Sequence, residues 1–134
     1  MQTVRHGVRA PGDEDTRVSQ MPAFGKLEML SGDEIAAVAD YVLSLSGRGS
    51  ATKEGAQLFA DNCAVCHGEA GEGNHELGAP RLNDAIWLYG GDRKTIMTTI
   101  TNARAGQMPA WSQRLDDATI KQLAVFVHSL GGGE

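Results

Sequence analysis

The chain contains two cysteines, at positions 63 and 66, and a histidine directly follows the second. The run Cys63-Ala64-Val65-Cys66-His67 has the C-x-x-C-H spacing of a covalent haem-attachment motif. At the end of a helical segment, side chains three and four positions apart share one face. Both thiols and the imidazole can therefore meet one flat macrocycle. The thiols would join the haem vinyl groups as thioethers, and His67 would become the proximal iron ligand. Zinc and dithiol redox chemistry also use paired cysteines. A structural zinc site needs four nitrogen or sulfur ligands, but no second cysteine pair follows, and His6, His75 and His128 are scattered. A redox dithiol is expected beside a βαβ pattern, which the sequence does not offer.

An iron that shuttles electrons with a histidine on one side needs a sixth ligand, and Met108 is the candidate. Gly106, Pro109 and Ala110 put it in a loop, where a thioether can be aimed at iron and raise the reduction potential. Met97, beside Ile96 and Ile100 on a predicted helix, reads instead as core filler.

The elements that must hold these residues are helices. The 134 residues suit one compact domain with a tail. A domain of this size has little core of its own, so a covalently held haem would act as its apolar staple. The formal charge of −5, with arginines dispersed, excludes the basic stripe of a nucleic-acid binder. No run approaches the roughly 20 apolar residues of a membrane span, and no signal-peptide core follows Arg5 and Arg9. The chain is expected to be soluble.

An internal repeat organises the rest. Met21-Pro22-Ala23-Phe24 matches Met108-Pro109-Ala110-Trp111. The helical stripe Ile35, Val38, Ala39, Tyr41, Val42, Leu45 matches Ile120, Leu123, Ala124, Phe126, Val127, Leu130. Ser31 and Glu34 form a predicted capping box, Asp116 or Asp117 an N-cap, and Gly47 and Gly131 stop the two helices. Upstream, Thr3-Val4 and Val8 correspond loosely to Thr95-Ile96 and Ile100. Residues 1–46 thus read as the C-terminal remnant of a preceding haem domain without its own motif, with Met21 lacking a haem. An uncovered apolar face in this remnant would favour dimerisation or swapping.

Residues 47–52 form a Gly/Ser linker, and residues 53–134 the haem-bearing domain. Thr52 caps a predicted helix from Lys53 to about Asn62, whose Gly55 would let the final helix approach near Phe126. A Gly-rich loop follows His67. Asp84 to Tyr89 is predicted as a short helix, and Asp92 caps another through Asn102. The expected fold is all-α, with the first and last helices of the 53–134 unit crossing.

The motif, Gly78-Ala79-Pro80-Arg81-Leu82, Met108-Pro109 and the C-terminal helix resemble class I cytochrome c over residues 53–134. Ile86-Trp87-Leu88-Tyr89-Gly90-Gly91, Met108-Pro109-Ala110-Trp111 and Val127-His128-Ser129-Leu130-Gly131-Gly132-Gly133 are similar to the dihaem subunit III of cbb3-type cytochrome c oxidases. The resemblance implies a class I cytochrome c fold preceded by a truncated second cytochrome c domain. It also implies that the Pro80 carbonyl accepts the His67 ring N–H, fixing the tautomer. The family has two tandem domains behind a membrane anchor, and this sequence departs from it by lacking the anchor and the first motif.

The expected function is electron transfer through one haem c, bound by Cys63, Cys66, His67 and Met108, to the oxygen-reducing core of such an oxidase. The expected partners are other oxidase subunits and a soluble or membrane cytochrome c donor, on the periplasmic side of the bacterial membrane. The chain would be an electron-transfer module and not itself the enzyme. A haem peroxidase module and a cytochrome subunit of a dehydrogenase are the alternatives. Trp87, Tyr89, Trp111 and Arg81 are candidates to line the haem or bond its propionates, with core packing the other reading.

Overall fold

A computed structural model describes residues 1–131; Gly132 and Gly133 of the resemblance motif lie outside the described residues. It is helical, with isolated β-bridges but no strands among the described residues. The helices are α1 (Gln2–His6), α2 (Gly32–Leu45), α3 (Lys53–Asn62), α4 (Ala64–His67), α5 (Arg93–Asn102) and α6 (Asp117–Ser129), with a 3₁₀ turn over Trp111–Gln113. None is long and apolar enough to cross a membrane.

Helix ends follow local chemistry. Ser31 Oγ accepts from Glu34 N–H while Glu34 accepts from Ser31 N–H, which closes the predicted capping box on α2. Thr52, Asp92 and Asp116 cap α3, α5 and α6 through the N–H groups of Gly55, Thr95 and Thr119. Gly47 and Gly131, both with φ +73°, sit two residues beyond α2 and α6. One predicted helix is absent: Asp84–Tyr89 is irregular. Asp84 Oδ1 accepts from Ile86 N–H at 2.9 Å, a local turn that competes with helix.

The chain divides into two compact units, Gln20–Arg104 and Met1–Ser19 with Ala105 onward. In the Gln20–Arg104 unit, α2 packs on α3 and α5. Ile35, Val38, Ala39 and Val42 bury the predicted stripe of α2 in one core with Phe24, Leu30, Phe59, Ile96 and Ile100. The Tyr41 and Phe59 rings meet at 5.0 Å, tilted by 50°, and burying a ring such as Phe59 stabilises by about 1.5–3 kcal/mol. Asp40 accepts two bonds from Arg93, at 2.6 and 2.9 Å, joining α2 to α5. The expected linker is instead a tight turn: Arg48 N–H bonds the Leu43 carbonyl at 2.9 Å, and a Cβ on Gly49 would stand 2.9 Å from the Asp40 oxygen.

This arrangement corrects two expectations. Gly55 does admit a close crossing, but of α2: a Cβ there would stand 2.3 Å from the Ala37 carbonyl oxygen, so the Phe126 placement does not hold. The helix crossing α3 is α2, not the last helix, and the apolar stripe of residues 1–46 is covered within the chain. The compact units also cut across the expected boundary at residues 47–52.

In the other unit, α1 packs on the 3₁₀ turn and on α6. Ile120 is fully buried, together with Ala10 and Ala110, and Arg5 pairs with Asp117 at 2.8 Å.

Gly55→Leu is expected to destabilise the protein by about 1–3 kcal/mol in urea denaturation, because the clash is with backbone. Unchanged stability would refute the crossing.

Candidate functional site

The attachment motif lies at a break between two helices. Cys63 N–H still bonds the Phe59 carbonyl at 2.8 Å, completing the last turn of α3. The Cys63 carbonyl then accepts from Cys66 and His67 N–H, at 3.1 and 2.9 Å, and starts α4. The three motif side chains differ in burial: Cys63 is half-buried against the core, Cys66 is exposed and His67 is buried. Burial, with a smaller contribution from Cys66, pushes the Cys63 thiol up to about 11.

His67 carries the clearest functional geometry. Its Nδ1 lies 2.9 Å from the Pro80 carbonyl oxygen, which can accept only if that nitrogen bears the proton. Nε2 then keeps its lone pair for a metal. Burial lowers the His67 pKa, and the bond to Pro80 opposes this in part, so the neutral, ligating form is favoured. The loop between them is folded back tightly. Gly73 N–H bonds the His67 carbonyl at 2.7 Å, and Asn74 and Ala79 exchange backbone bonds at 3.0 Å. Gly73 has φ +83°, and a Cβ there would lie 2.9 Å from both the Ala79 oxygen and the Arg81 nitrogen. A side chain at 73 would thus push away the segment that presents Pro80.

The two repeat methionines fall in different units. Met21, expected to stand apart from any haem, packs against the core that Cys63, Ala64, Leu82 and Trp87 also touch. The chain after it is tied down in the same unit: Phe24 N–H bonds the Ile100 carbonyl at 3.1 Å and Lys26 N–H that of Thr101 at 3.0 Å. Met108 belongs to the unit of α1 and α6. There it exchanges backbone bonds with Val8 at 3.0 and 2.9 Å, while Arg9 Nε donates to the Gly106 carbonyl at 2.8 Å. Gly7 makes this approach possible, since a Cβ there would overlap the Met108 and Pro109 backbone. Met97 is half-buried against the core, as core filler should be, and its sulfur lies 3.4 Å from an Arg93 nitrogen.

The repeat helices differ in the same way. Val42 of α2 is 4% exposed, whereas its α6 counterpart Val127 is 59% exposed and Phe126 60%. One sequence pattern therefore has a helix partner in α2 and an uncovered face in α6.

The residues of the motif-bearing unit fit a covalently attached haem. A cysteine pair and a neutral imidazole with a free lone pair are the donor types that such an attachment uses, and the Met21 thioether packs on the same core as Cys63. The indole Nε1 of Trp87 is buried with no hydrogen-bond partner, which points to an acceptor from outside the polypeptide. Ile86, Leu88 and Val65 expose apolar surface in this unit, the kind of surface that binding sites present. Nothing in the sequence distinguishes Trp87 from the other aromatic candidates, because an unpaired donor is visible only in the folded chain.

In the haem-free protein, iodoacetamide is expected to modify Cys66 at least about tenfold faster than Cys63 at mildly alkaline pH, because Cys63 is less exposed and barely ionised. Peptide mass mapping reads the rates; equal rates would contradict the described burial.

Comparison with known proteins gives the family. Residues 50–127 match the family model described as cytochrome c oxidase, cbb3-type, subunit III. The chain is 53% identical over 135 residues to the cbb3-type cytochrome c oxidase subunit CcoP of Cereibacter sphaeroides, covering 98% of this chain and 47% of that protein. It is 56% identical over 137 residues to the subunit FixP of Azorhizobium caulinodans, covering 99% and 46%. The figures for FixP of Bradyrhizobium diazoefficiens are 53% over 138 residues, 100% and 47%. The chain spans about half the length of these relatives. With the family model matching more than half of the chain, this protein belongs to the cbb3-type cytochrome c oxidase subunit III family.

Proposed function

We propose that the chain is a one-electron carrier that holds a single haem c and passes electrons toward the oxygen-reducing core of a cbb3-type oxidase. The observation that carries this reading is the buried His67, with Nδ1 on the Pro80 carbonyl, next to an exposed Cys66 and a half-buried Cys63. The names of the relatives support the oxidase setting. Other oxidase subunits and a cytochrome c donor are the partners in this reading, on the periplasmic side of the membrane.

The haem iron, when bound, supplies the reversible one-electron couple. The protein's own residues do the rest. Cys63 and Cys66 would each add a thiol S–H across a haem vinyl group and so hold the ring covalently. His67 offers Nε2 while Pro80 keeps the proton on Nδ1 and raises the basicity of the ring. A methionine thioether would be the second protein ligand, favouring the reduced state and leaving no position for substrate.

In this reading that methionine is Met21, supplied by the preceding repeat. Its support is the shared packing of Met21 and Cys63 on one core, and the bonds from Phe24 and Lys26 to the end of α5. Met108, the sixth ligand expected from the sequence, would serve a second haem whose attachment motif lies elsewhere in a longer protein. The greater length of the relatives leaves room for one.

The test is the optical spectrum of the holoprotein. A low-spin reduced spectrum, a weak far-red methionine-to-iron band when oxidised and no carbon monoxide binding are expected. Met21→Ala should lose the band and admit carbon monoxide, and Met108→Ala should do neither. A high-spin iron that binds carbon monoxide in the unmutated protein would favour a haem enzyme. Loss of the band in Met108→Ala alone would return the ligand to Met108.

A further inference from the structure

We infer that His6, Asp13 and Asp15 form a binding site for one divalent transition-metal ion, apart from the cysteine motif and independent of the haem reading. The three residues lie in the unit of α1 and α6.

Among the described residues they are the one group of three histidine, cysteine or carboxylate side chains whose donor atoms can share an ion. His6 Nδ1 lies 3.1 and 3.2 Å from the two Asp13 carboxylate oxygens and 3.9 Å from Asp15 Oδ2. All three donors fall within 4.8 Å of one another. Metal–donor bonds of about 2.0–2.2 Å put tetrahedral neighbours roughly 3.3–3.6 Å apart, so little movement is needed to close on an ion.

Two of the ligands are built into the fold. His6 ends α1, its side chain is 19% exposed, and that of Asp13 is 11% exposed. Asp13 Oδ1 also accepts from Asp15 N–H at 3.0 Å. Arg9 N–H bonds the Arg17 carbonyl at 2.8 Å and Ala10 N–H bonds Thr16 Oγ1 at 3.0 Å, which folds the 13–15 segment back to the end of α1. Asp15 is 81% exposed, giving an ion a way in from solvent and leaving a position for water. Two neighbouring arginines are directed to other groups: Arg5 to Asp117 at 2.8 Å, and Arg9 to the Gly106 and Ser19 carbonyls at 2.8 and 2.7 Å.

The imidazole sets the class of ion. Calcium and magnesium take oxygen ligands, whereas a ring nitrogen beside carboxylates suits zinc or a similar transition ion. With the ring neutral, two carboxylates match the charge of the ion. On binding, the ring proton moves from Nδ1 to Nε2 and frees the lone pair that faces the carboxylates. The ion then clasps the end of α1 to the 13–15 segment. Val8, two residues beyond His6, exchanges backbone bonds with Met108, so the clasp steadies that pairing too.

The test is a Zn2+ titration of the full chain, with Cys63 and Cys66 occupied by haem or alkylated, read by calorimetry and by 1H–15N spectra. One ion per chain is expected, with shifts centred on His6, Asp13 and Asp15, and with amide exchange of Val8 and Met108 slowed at least about threefold. His6→Gln, which keeps a group able to bond Asp13, and Asp15→Asn should each weaken binding at least about tenfold. His75→Gln and His128→Gln should leave it unchanged, and Ca2+ or Mg2+ in about tenfold excess should not displace Zn2+. Binding that survives His6→Gln means an adventitious ion only and overturns the assignment. Shifts centred away from these residues, or displacement by Ca2+, overturn it as well. The spectra of the unmutated protein decide the matter even if a variant folds poorly.

Discussion

Gly55 lets the Ala37 carbonyl approach to within 2.3 Å of the place a β-carbon would take, and the arrangement of the motif-bearing unit depends on that approach. It sets α2 against α3 at backbone distance, so Tyr41 and Phe59 stack and Val38 and Ala39 are sealed from water. Asp40 then reaches Arg93, which ties α5 to the same pair. Once α2 is the helix on α3, the chain preceding it must follow. Phe24 and Lys26 bond to the end of α5, and Met21 packs on the same core as Cys63.

Around this scaffold the site is built from backbone as much as from side chains. His67 owes its tautomer to a main-chain carbonyl, that carbonyl owes its position to a loop folded back over Gly73, and Gly73 owes its close contacts to the missing side chain. Burial keeps the imidazole neutral and the Cys63 thiol protonated until they react or ligate. Val65, Ile86 and Leu88 are exposed in this unit, and the buried Trp87 indole donor has no partner among the described residues.

The repeat also explains why α6 is apolar on a face that α1 and the 3₁₀ turn leave uncovered. Phe126 and Val127 occupy the positions that Tyr41 and Val42 fill in α2, where α3 covers them. The same stripe is thus core in one copy and surface in the other.

Much of this was legible in the sequence because it is local. The C-x-x-C-H spacing specifies its chemistry within five residues, and Ser31, Thr52, Asp92 and Asp116 begin their helices as predicted because a cap acts on N–H groups two or three positions away. Asp84–Tyr89 failed where a side-chain turn at Asp84 competed with helix. The partner of α3 was beyond reach for a different reason. Two stripes, Ile35 to Leu45 and Ile120 to Leu130, carry the same periodicity, and periodicity names a face without naming what covers it. The sequence by itself determined the haem-attachment motif and the caps of the long helices, and singled out Met108. Only the tertiary structure decided which stripe meets Gly55, because that depends on packing between residues far apart in the chain.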